Sequence, residues 1–151
     1  MPVPHRSEGD GSMSPIAGYT TSVDASKTAA EVGTMLAKRG ASRVMTEYGD
    51  GRAVGLSFEI GTGYGVRGFV LPIRAEGVLA TLKSDRAEKR YLTIKHAEKV
   101  AWRLVRDWLR AQLAMIDAGA TTLDEVMFPW MILGEKTMHA TYVSQQKAIA
   151  S

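Results

Sequence analysis

The spacing of apolar residues between Thr93 and Ala118 constrains the fold of this chain more than any other feature. Apolar side chains recur there every three or four positions, which is the period of one face of an α-helix. The face contains Ala97, Ala101, Leu104, Trp108, Ala111 and Met115. The spacing predicts a long amphipathic helix over residues 93–118 that packs this face on the core and ends at Gly119.

A row of basic residues runs along the same predicted helix. We call this row the basic ridge; it consists of Lys95, Lys99, Arg103, Arg106 and Arg110. At about 100° per residue, the five side chains lie within about 80° of one another on the helix surface. Two acids, Glu98 and Asp107, flank the ridge. The pattern indicates either a solvated helix face, with some side chains paired to acids elsewhere in the chain, or a surface that contacts a polyanion.

The positive charge of the whole chain is concentrated around this ridge. The 151 residues carry a net charge of +3. Residues 83–110 contain nine Lys or Arg and four Asp or Glu, whereas residues 1–82 contain eight of each kind and residues 111–151 contain two and four. Because a local surplus of positive charge attracts polyanions, this distribution favours a nucleic acid as the partner.

Length and composition predict one cytoplasmic domain with no membrane partner. The chain has no cysteine, which excludes disulfides and thiolate metal sites. It has no apolar run of the roughly 18–20 residues that a membrane span needs, and its first residues lack the apolar core of a signal peptide. Residues 1–20 are rich in Pro, Ser and Gly and are predicted to be a disordered arm. Residues 21–151 are predicted to form a single domain.

The predicted domain contains one helical pattern, then three strand patterns, then further helical patterns. A helix is predicted over residues 24–39. Three antiparallel strands that form a meander are predicted over residues 43–48, 52–60 and 69–74. Alternation in the second strand places Val54, Leu56, Phe58 and Ile60 on one face. Shorter helices are predicted over residues 75–82, after Thr122 and over 136–151. This order predicts an α+β fold in which the N-terminal helix, the long helix and the shorter C-terminal helices pack on one face of a small sheet.

Further basic and aromatic residues are candidates for contact with a nucleic acid. Arg67, Lys89 and Arg90 are candidate auxiliary phosphate contacts. Trp102 lies about 60° from the middle of the ridge; it is a candidate for stacking on a base, and packing in the core is the alternative. Tyr64, in the glycine-rich connection 61–68, is a second stacking candidate, with a plain hairpin loop as the alternative.

The most apolar run of the chain covers residues 126–133. Met, Phe and Trp are favoured at interfaces between subunits, and they are equally common in cores. The run is therefore interpreted as either core or a subunit contact. The candidate contact residues are Met127, Phe128, Trp130 and Met131.

The sequence shows no recognisable arrangement for catalysis. The three histidines, His5, His96 and His139, lack the spacing of metal ligands. Ser, His and Asp are present, but no pattern places them together. We therefore predict that the protein is not an enzyme and uses no metal or cofactor.

Two parts of the chain carry a resemblance to known proteins. Residues 95–113 and 123–130 resemble a pattern in small uncharacterised proteins of bacteriophages and prophages, and residues 40–44, 55–58 and 69–72 fit it. The resemblance implies a bacterial cytoplasm as the setting and supplies neither a function nor site residues. The order of helix, meander and long helix is also similar to double-stranded-RNA-binding domains and to single-strand annealing proteins.

These observations lead to two hypotheses about function. The first is a small non-enzymatic DNA-binding protein of a phage, able to form homo-oligomers, that acts in recombination, replication or packaging. It contacts the DNA backbone through the basic ridge, and RNA is not distinguished from DNA by the sequence. The second is a protein–protein module, either a phage assembly component or an inhibitor of a host defence protein, whose ridge faces an acidic protein.

Overall fold

The computed structural model describes residues 14–150, which form helices on an antiparallel sheet. The helices are α1 (Ala25–Lys38), α2 (Ala75–Ser84), α3 (Ile94–Asp117), α4 (Leu123–Met127) and α5 (Met138–Ala150). The strands are β1 (Arg43–Gly49), β2 (Arg52–Thr62), β3 (Gly65–Val70), β4 (Met131–Leu133) and β5 (Lys136–Thr137). Short 3-10 turns occur at Lys89–Tyr91 and Phe128–Trp130. The predicted α+β fold is confirmed, and no helix within residues 14–150 is both long and apolar enough to cross a membrane.

The sheet contains the predicted meander and two further strands. Its five strands follow the order β1-β2-β3-β4-β5, and all neighbours are antiparallel. Strand β4 joins the meander by pairing Met131 with Phe69. Strands β4 and β5 are three and two residues long, too short to show the alternation by which a strand is recognised.

A bulge in β2 changes which residues face the core. Glu47 pairs with Gly55 and Tyr48 pairs with Ala53, so Val54 is an extra residue between them. An extra residue reverses the alternation on one side of it. Ala53 is therefore buried and Val54 is exposed. The predicted inward position of Val54 was wrong, whereas Leu56, Phe58 and Ile60 do lie in the core.

Helix α3 is buried on a different side from the one predicted. Its buried large residues are Val100, Trp102, Val105, Leu109 and Leu113. The centre of this side lies about 130° around the helix from the centre of the predicted face, so Leu104 and Trp108 are only partly buried and Met115 is exposed. Helix α3 is covered on two sides: the sheet and α1 cover the side that contains Trp102, and α2 covers Ala97 and Ala101 of the predicted face.

One buried ion pair ties the start of α3 to the hairpin between β1 and β2. Arg52 Nε donates to Glu98 Oε1 at 2.5 Å, and Arg52 Nη2 donates to Glu98 Oε2 at 3.4 Å. The Glu98 side chain is 7% exposed, whereas that of Arg52 is 32% exposed. The carboxylate is therefore taken out of water and depends on Arg52 for its hydrogen bonds. The same hydrogen bond is the main reason that the pKa of Arg52 is raised.

We predict that Glu98→Gln lowers the free energy of unfolding, measured by urea denaturation, by about 1–3 kcal/mol because a buried charge-assisted hydrogen bond is lost. Glu59→Gln is the matched control, since Glu59 and Arg43 form an exposed pair 3.8 Å apart. The control substitution should change stability by less than about 0.5 kcal/mol. Equal losses in the two variants would contradict the structural role assigned to Glu98.

Candidate nucleic-acid interface

The C-terminal half of the basic ridge is paired with an acid on α1. Arg106 Nη1 lies 3.1 Å from Glu31 Oε1, and Arg110 Nη2 lies 2.7 Å from Glu31 Oε2. The rotation of α3 explains these pairs, because it brings the edge of the ridge next to the face that packs on α1. Glu31 is 75 residues from Arg106 in sequence, so no local pattern could show the pairing. One carboxylate thus binds two members of the ridge.

Asp107 neutralises the same part of the ridge from within α3. Its Oδ1 accepts from Arg106 Nε at 3.0 Å and from Arg106 Nη2 at 2.9 Å. Burial opposes the charged form of Arg106, but the hydrogen bonds with Glu31 and Asp107 outweigh it, so the pKa of Arg106 is raised. Arg106 is only 18% exposed. The guanidinium of Arg106 is therefore a structural group that joins α1 to α3.

The segment before α1 covers another part of the ridge. His96 Nε2 donates to the carbonyl of Tyr19 at 2.5 Å, and Ser14 Oγ donates to Asp85 at 2.5 Å. Gly18 has φ +70, and a Cβ there would lie 2.6 Å from Arg103 Nε. Glycine suits this position because φ is positive, and a side chain there would also displace the Arg103 guanidinium. Of the predicted disordered arm over 1–20, Gly18 and Tyr19 contact α3 and Ser14 contacts Asp85 after α2, while residues 1–13 lie outside the described part of the chain.

The basic residues around the start of α3 are different, because most of them have no acidic partner. Residues 83–99 contain six Lys or Arg and three Asp or Glu, and one of these acids, Glu98, is buried against Arg52. Within residues 14–150, Lys89, Lys95 and Lys99 form no ion pair, and Arg90 forms an exposed one of 3.3 Å with Glu88. We call Lys89, Arg90, Lys95 and Lys99 the cationic end of α3.

Three rings lie beside this cationic end and contact its Arg90 guanidinium directly or through one another. The Arg90 guanidinium lies 4.8 Å from the centre of the Tyr91 ring. Tyr91 in turn contacts His96, with ring centres 4.9 Å apart, and Tyr19, with ring centres 5.5 Å apart. We call these four residues the Tyr91 cluster. The roles of Tyr19 and His96 are not visible in the sequence, since Tyr19 comes from a segment far away along the chain.

The two predicted stacking residues do not join this surface. Trp102 is fully buried, and its indole N–H donates to the Ala53 carbonyl at 2.8 Å, so the stacking interpretation was wrong and the packing alternative is correct. Tyr64 is exposed, but it belongs to the two-residue turn between β2 and β3. That turn lies beside Ile116, at the other end of α3 from Lys95. Since α3 has 24 residues, the two ends are about 36 Å apart.

Arg67 is not brought to the cationic end either. It pairs with Ile60 across β2 and β3, near the same turn as Tyr64. Its Nη1 donates to the neighbouring carbonyl of Val66 at 3.0 Å. The predicted loop over residues 61–68 is mostly strand, because β2 continues to Thr62 and β3 begins at Gly65. Arg67 is therefore separated from Lys95 by most of the length of α3.

The apolar run 126–133 divides between core and surface. Met127 and Met131 are buried in the core, which is the core alternative for these two residues. Trp130 is partly buried, with the Arg74 guanidinium 5.2 Å from its ring centre. Phe128 is exposed and lines a shallow apolar groove of about 210 Å³ with Met138 and Tyr142. Of the four candidates, Phe128 is the one that a partner could reach most fully.

A further groove lies at the far end of α3, and its acidic residue Glu125 has a role in helix capping. It measures about 620 Å³ and lies between the turn at Gly63 and the start of α4. Glu125 in this groove completes a capping box with Thr122. Hydrogen bonds from the Thr121 hydroxyl and the Thr122 backbone N–H lower the pKa of the Glu125 carboxyl. No group of three or more His, Asp or Glu within residues 14–150 could hold a metal ion.

Comparisons of this chain with protein-family models, curated proteins and solved structures find no match. The resemblance to phage proteins therefore stays a prediction. A function for this chain has to be inferred from the geometry described above.

We predict that Glu31→Gln lowers the free energy of unfolding, measured by urea denaturation, by about 1 kcal/mol because it weakens two ion pairs between α1 and α3. Asp117→Asn is the matched control: Asp117 binds Arg39 at 2.9 Å, but it binds that one arginine and is 57% exposed. The control should cost clearly less. A larger loss for Asp117→Asn than for Glu31→Gln would argue against the structural use of the ridge.

Proposed function

We propose that the protein binds the phosphate backbone of DNA through the cationic end of α3. The observation that supports this proposal is a cluster of lysines without acidic partners in the described region, Lys89, Lys95 and Lys99, beside the Arg90 guanidinium. Unpaired cations at one place on a surface are the electrostatic requirement for binding a polyanion. Arg106 and Arg110 are excluded from the main contact because Glu31 already binds them.

The charge order along α3 supports the same proposal. Backbone N–H groups at the start of a helix carry a partial positive charge, which favours acidic side chains in the first turn. The first turn of α3 contains no acid and does contain Lys95, while Asp117 lies in the last turn. Both ends thus have the charge that the helix dipole disfavours. A bound phosphate would relieve this unfavourable arrangement at the start of α3.

The Tyr91 cluster determines how Arg90 is presented. A guanidinium held over an aromatic ring loses rotational freedom and keeps its N–H donors free at the edge. Arg90 Nη2 donates to Glu88 at 3.3 Å in an exposed pair, and the other N–H groups of the guanidinium are available to donate to a phosphate. Contacts of this kind position a protein on a backbone without reading the sequence of bases. The proposed binding is therefore weakly sequence-specific, and a role in phage recombination, replication or packaging is part of the proposal.

The salt dependence of binding tests the proposal directly. Fluorescence anisotropy should be measured with labelled single-stranded DNA, duplex DNA and duplex RNA at about 50 and about 200 mM NaCl. If the four cations each neutralise one phosphate of duplex DNA, the log–log slope is about −3.6 and affinity falls by about two orders of magnitude between these salt concentrations. Absence of binding to every oligonucleotide at low salt would overturn the proposal and favour an acidic protein as the partner.

A charge-reversal pair locates the contact. We predict that Lys95→Glu/Lys99→Glu weakens DNA binding at least tenfold and reduces the salt slope by about 2. A Glu near the start of α3 suits the helix dipole, so the fold should be kept. The matched control is Lys136→Glu/Lys147→Glu, which makes the same change in net charge on β5 and α5. Equal weakening by both double variants would show that only the overall charge matters.

A further inference from the structure

The sheet ends at β1, whose outer edge has no strand beside it within the described residues. The Leu71 N–H donates to the Leu56 carbonyl at 2.9 Å, which marks Leu56 as bonded towards β3. Because hydrogen bonding alternates along a strand, Gly55, Ser57 and Glu59 bond towards β1 through their partners Glu47, Met45 and Arg43. The backbone groups of Val44 and Thr46 therefore point outwards from the sheet.

The two edges of the sheet differ in how well they are protected. Natural proteins blunt edge strands by making them very short, by placing charged residues or proline on them, or by bulges. Strand β5 is two residues long and contains Lys136. Strand β1 has seven residues with neither lysine nor proline; its two charges, Arg43 and Glu47, have opposite signs, and the bulge lies beyond Glu47, near the end of the strand. The edge at β1 is thus the one that is open to another strand.

We propose that β1 pairs antiparallel with β1 of a second copy of this chain, about a two-fold axis at Met45, to form one continuous ten-stranded sheet. The outward-pointing backbone N–H and C=O groups of one copy must bond to those of the other. This register satisfies that requirement because it pairs Val44 with Thr46 of the partner subunit. The proposal depends on the sheet and is independent of the proposed nucleic-acid contact at α3.

Charge complementarity selects this register. With the axis at Met45, Arg43 lies opposite Glu47 of the partner subunit, and symmetry makes the pair twice. Registers centred on Val44 or Thr46 also satisfy the hydrogen bonding, but they leave these charges unmatched. Arg43, Met45 and Glu47 lie on the sheet face opposite the helices, and all three are exposed. Opposite charges directly across an antiparallel pair stabilise it.

The helix layer is compatible with this pairing. Helix α1 packs on both β1 and β2, so in the continuous sheet the two α1 helices would be separated by two strand spacings, roughly 10 Å, which is a normal packing distance for helices. A Cβ on Gly33 would lie 3.6 Å from Val44 Cγ1, which identifies the flank of α1 over β1. That flank has only small residues, namely Ser26, Ala30, Gly33 and Ala37. The two helices can therefore approach without a clash.

A single cysteine tests the register. The chain contains no cysteine, so Met45→Cys introduces the sole thiol. In the proposed dimer, the two substituted positions form a directly opposed pair with Cα atoms about 4.5 Å apart, which is within the range for a disulfide. Oxidation should give a cross-linked dimer rapidly. The control is Val70→Cys, an exposed position on the same sheet face in β3; equal cross-linking of both variants would overturn the proposal.

A charge swap tests the partner contact in the reduced protein. Light scattering coupled to size-exclusion chromatography over a dilution series gives the dimer dissociation constant. Arg43→Glu and Glu47→Arg should each raise this constant roughly tenfold or more, because each places like charges opposite one another twice. The double variant Arg43→Glu/Glu47→Arg should restore it, and Lys136→Glu at the other edge should leave it unchanged. A chain that is monomeric at every concentration, or a double variant that is not restored, would overturn the proposal.

Discussion

Trp102 anchors the packing of α3 on the sheet, and the position of every charged group on that helix depends on this contact. Its ring is fully buried, and its N–H donates to the Ala53 carbonyl in β2. An indole of this size buries a large apolar area and needs a partner for its N–H, so it fixes both the rotation and the register of α3. Glu98, one helical turn earlier, then meets Arg52 at the end of the β1–β2 hairpin.

The same rotation decides which basic residues are available to a partner. It turns Arg106 towards α1, where Glu31 binds it, and it leaves Lys95 and Lys99 without acidic partners in the described region. A ridge that looks uniform in the sequence therefore has two physical roles. Its C-terminal half stabilises the contact between two helices. Its N-terminal half carries uncompensated charge next to the start of a long helix, where an anion is favoured.

The candidate site was only partly predictable from the sequence, because some of its residues come together only when the chain folds. Lys89, Arg90, Lys95 and Lys99 are neighbours in sequence, so their charge surplus is visible in the sequence itself. Tyr19 reaches the cluster from a distant segment, and its contacts with Tyr91 and His96 exist only after folding. Tyr64 and Arg67 were grouped with the ridge because of their chemistry, but the direction of α3 along β2 places them at its far end. The sequence does not show beside which part of α3 a residue on another strand or loop will lie, because that depends on how the elements pack.

The sequence by itself determined the type and order of the long elements. A helix of 24 residues and an 11-residue strand display their periods many times over, and those periods follow from local backbone geometry. Only the tertiary structure decided the bulge at Val54, the rotation of α3 and the pairing of Arg106 with Glu31. Each of these depends on contacts between segments that are distant in sequence, because a helix or strand with a wide apolar surface can pack in several orientations until its neighbours select one.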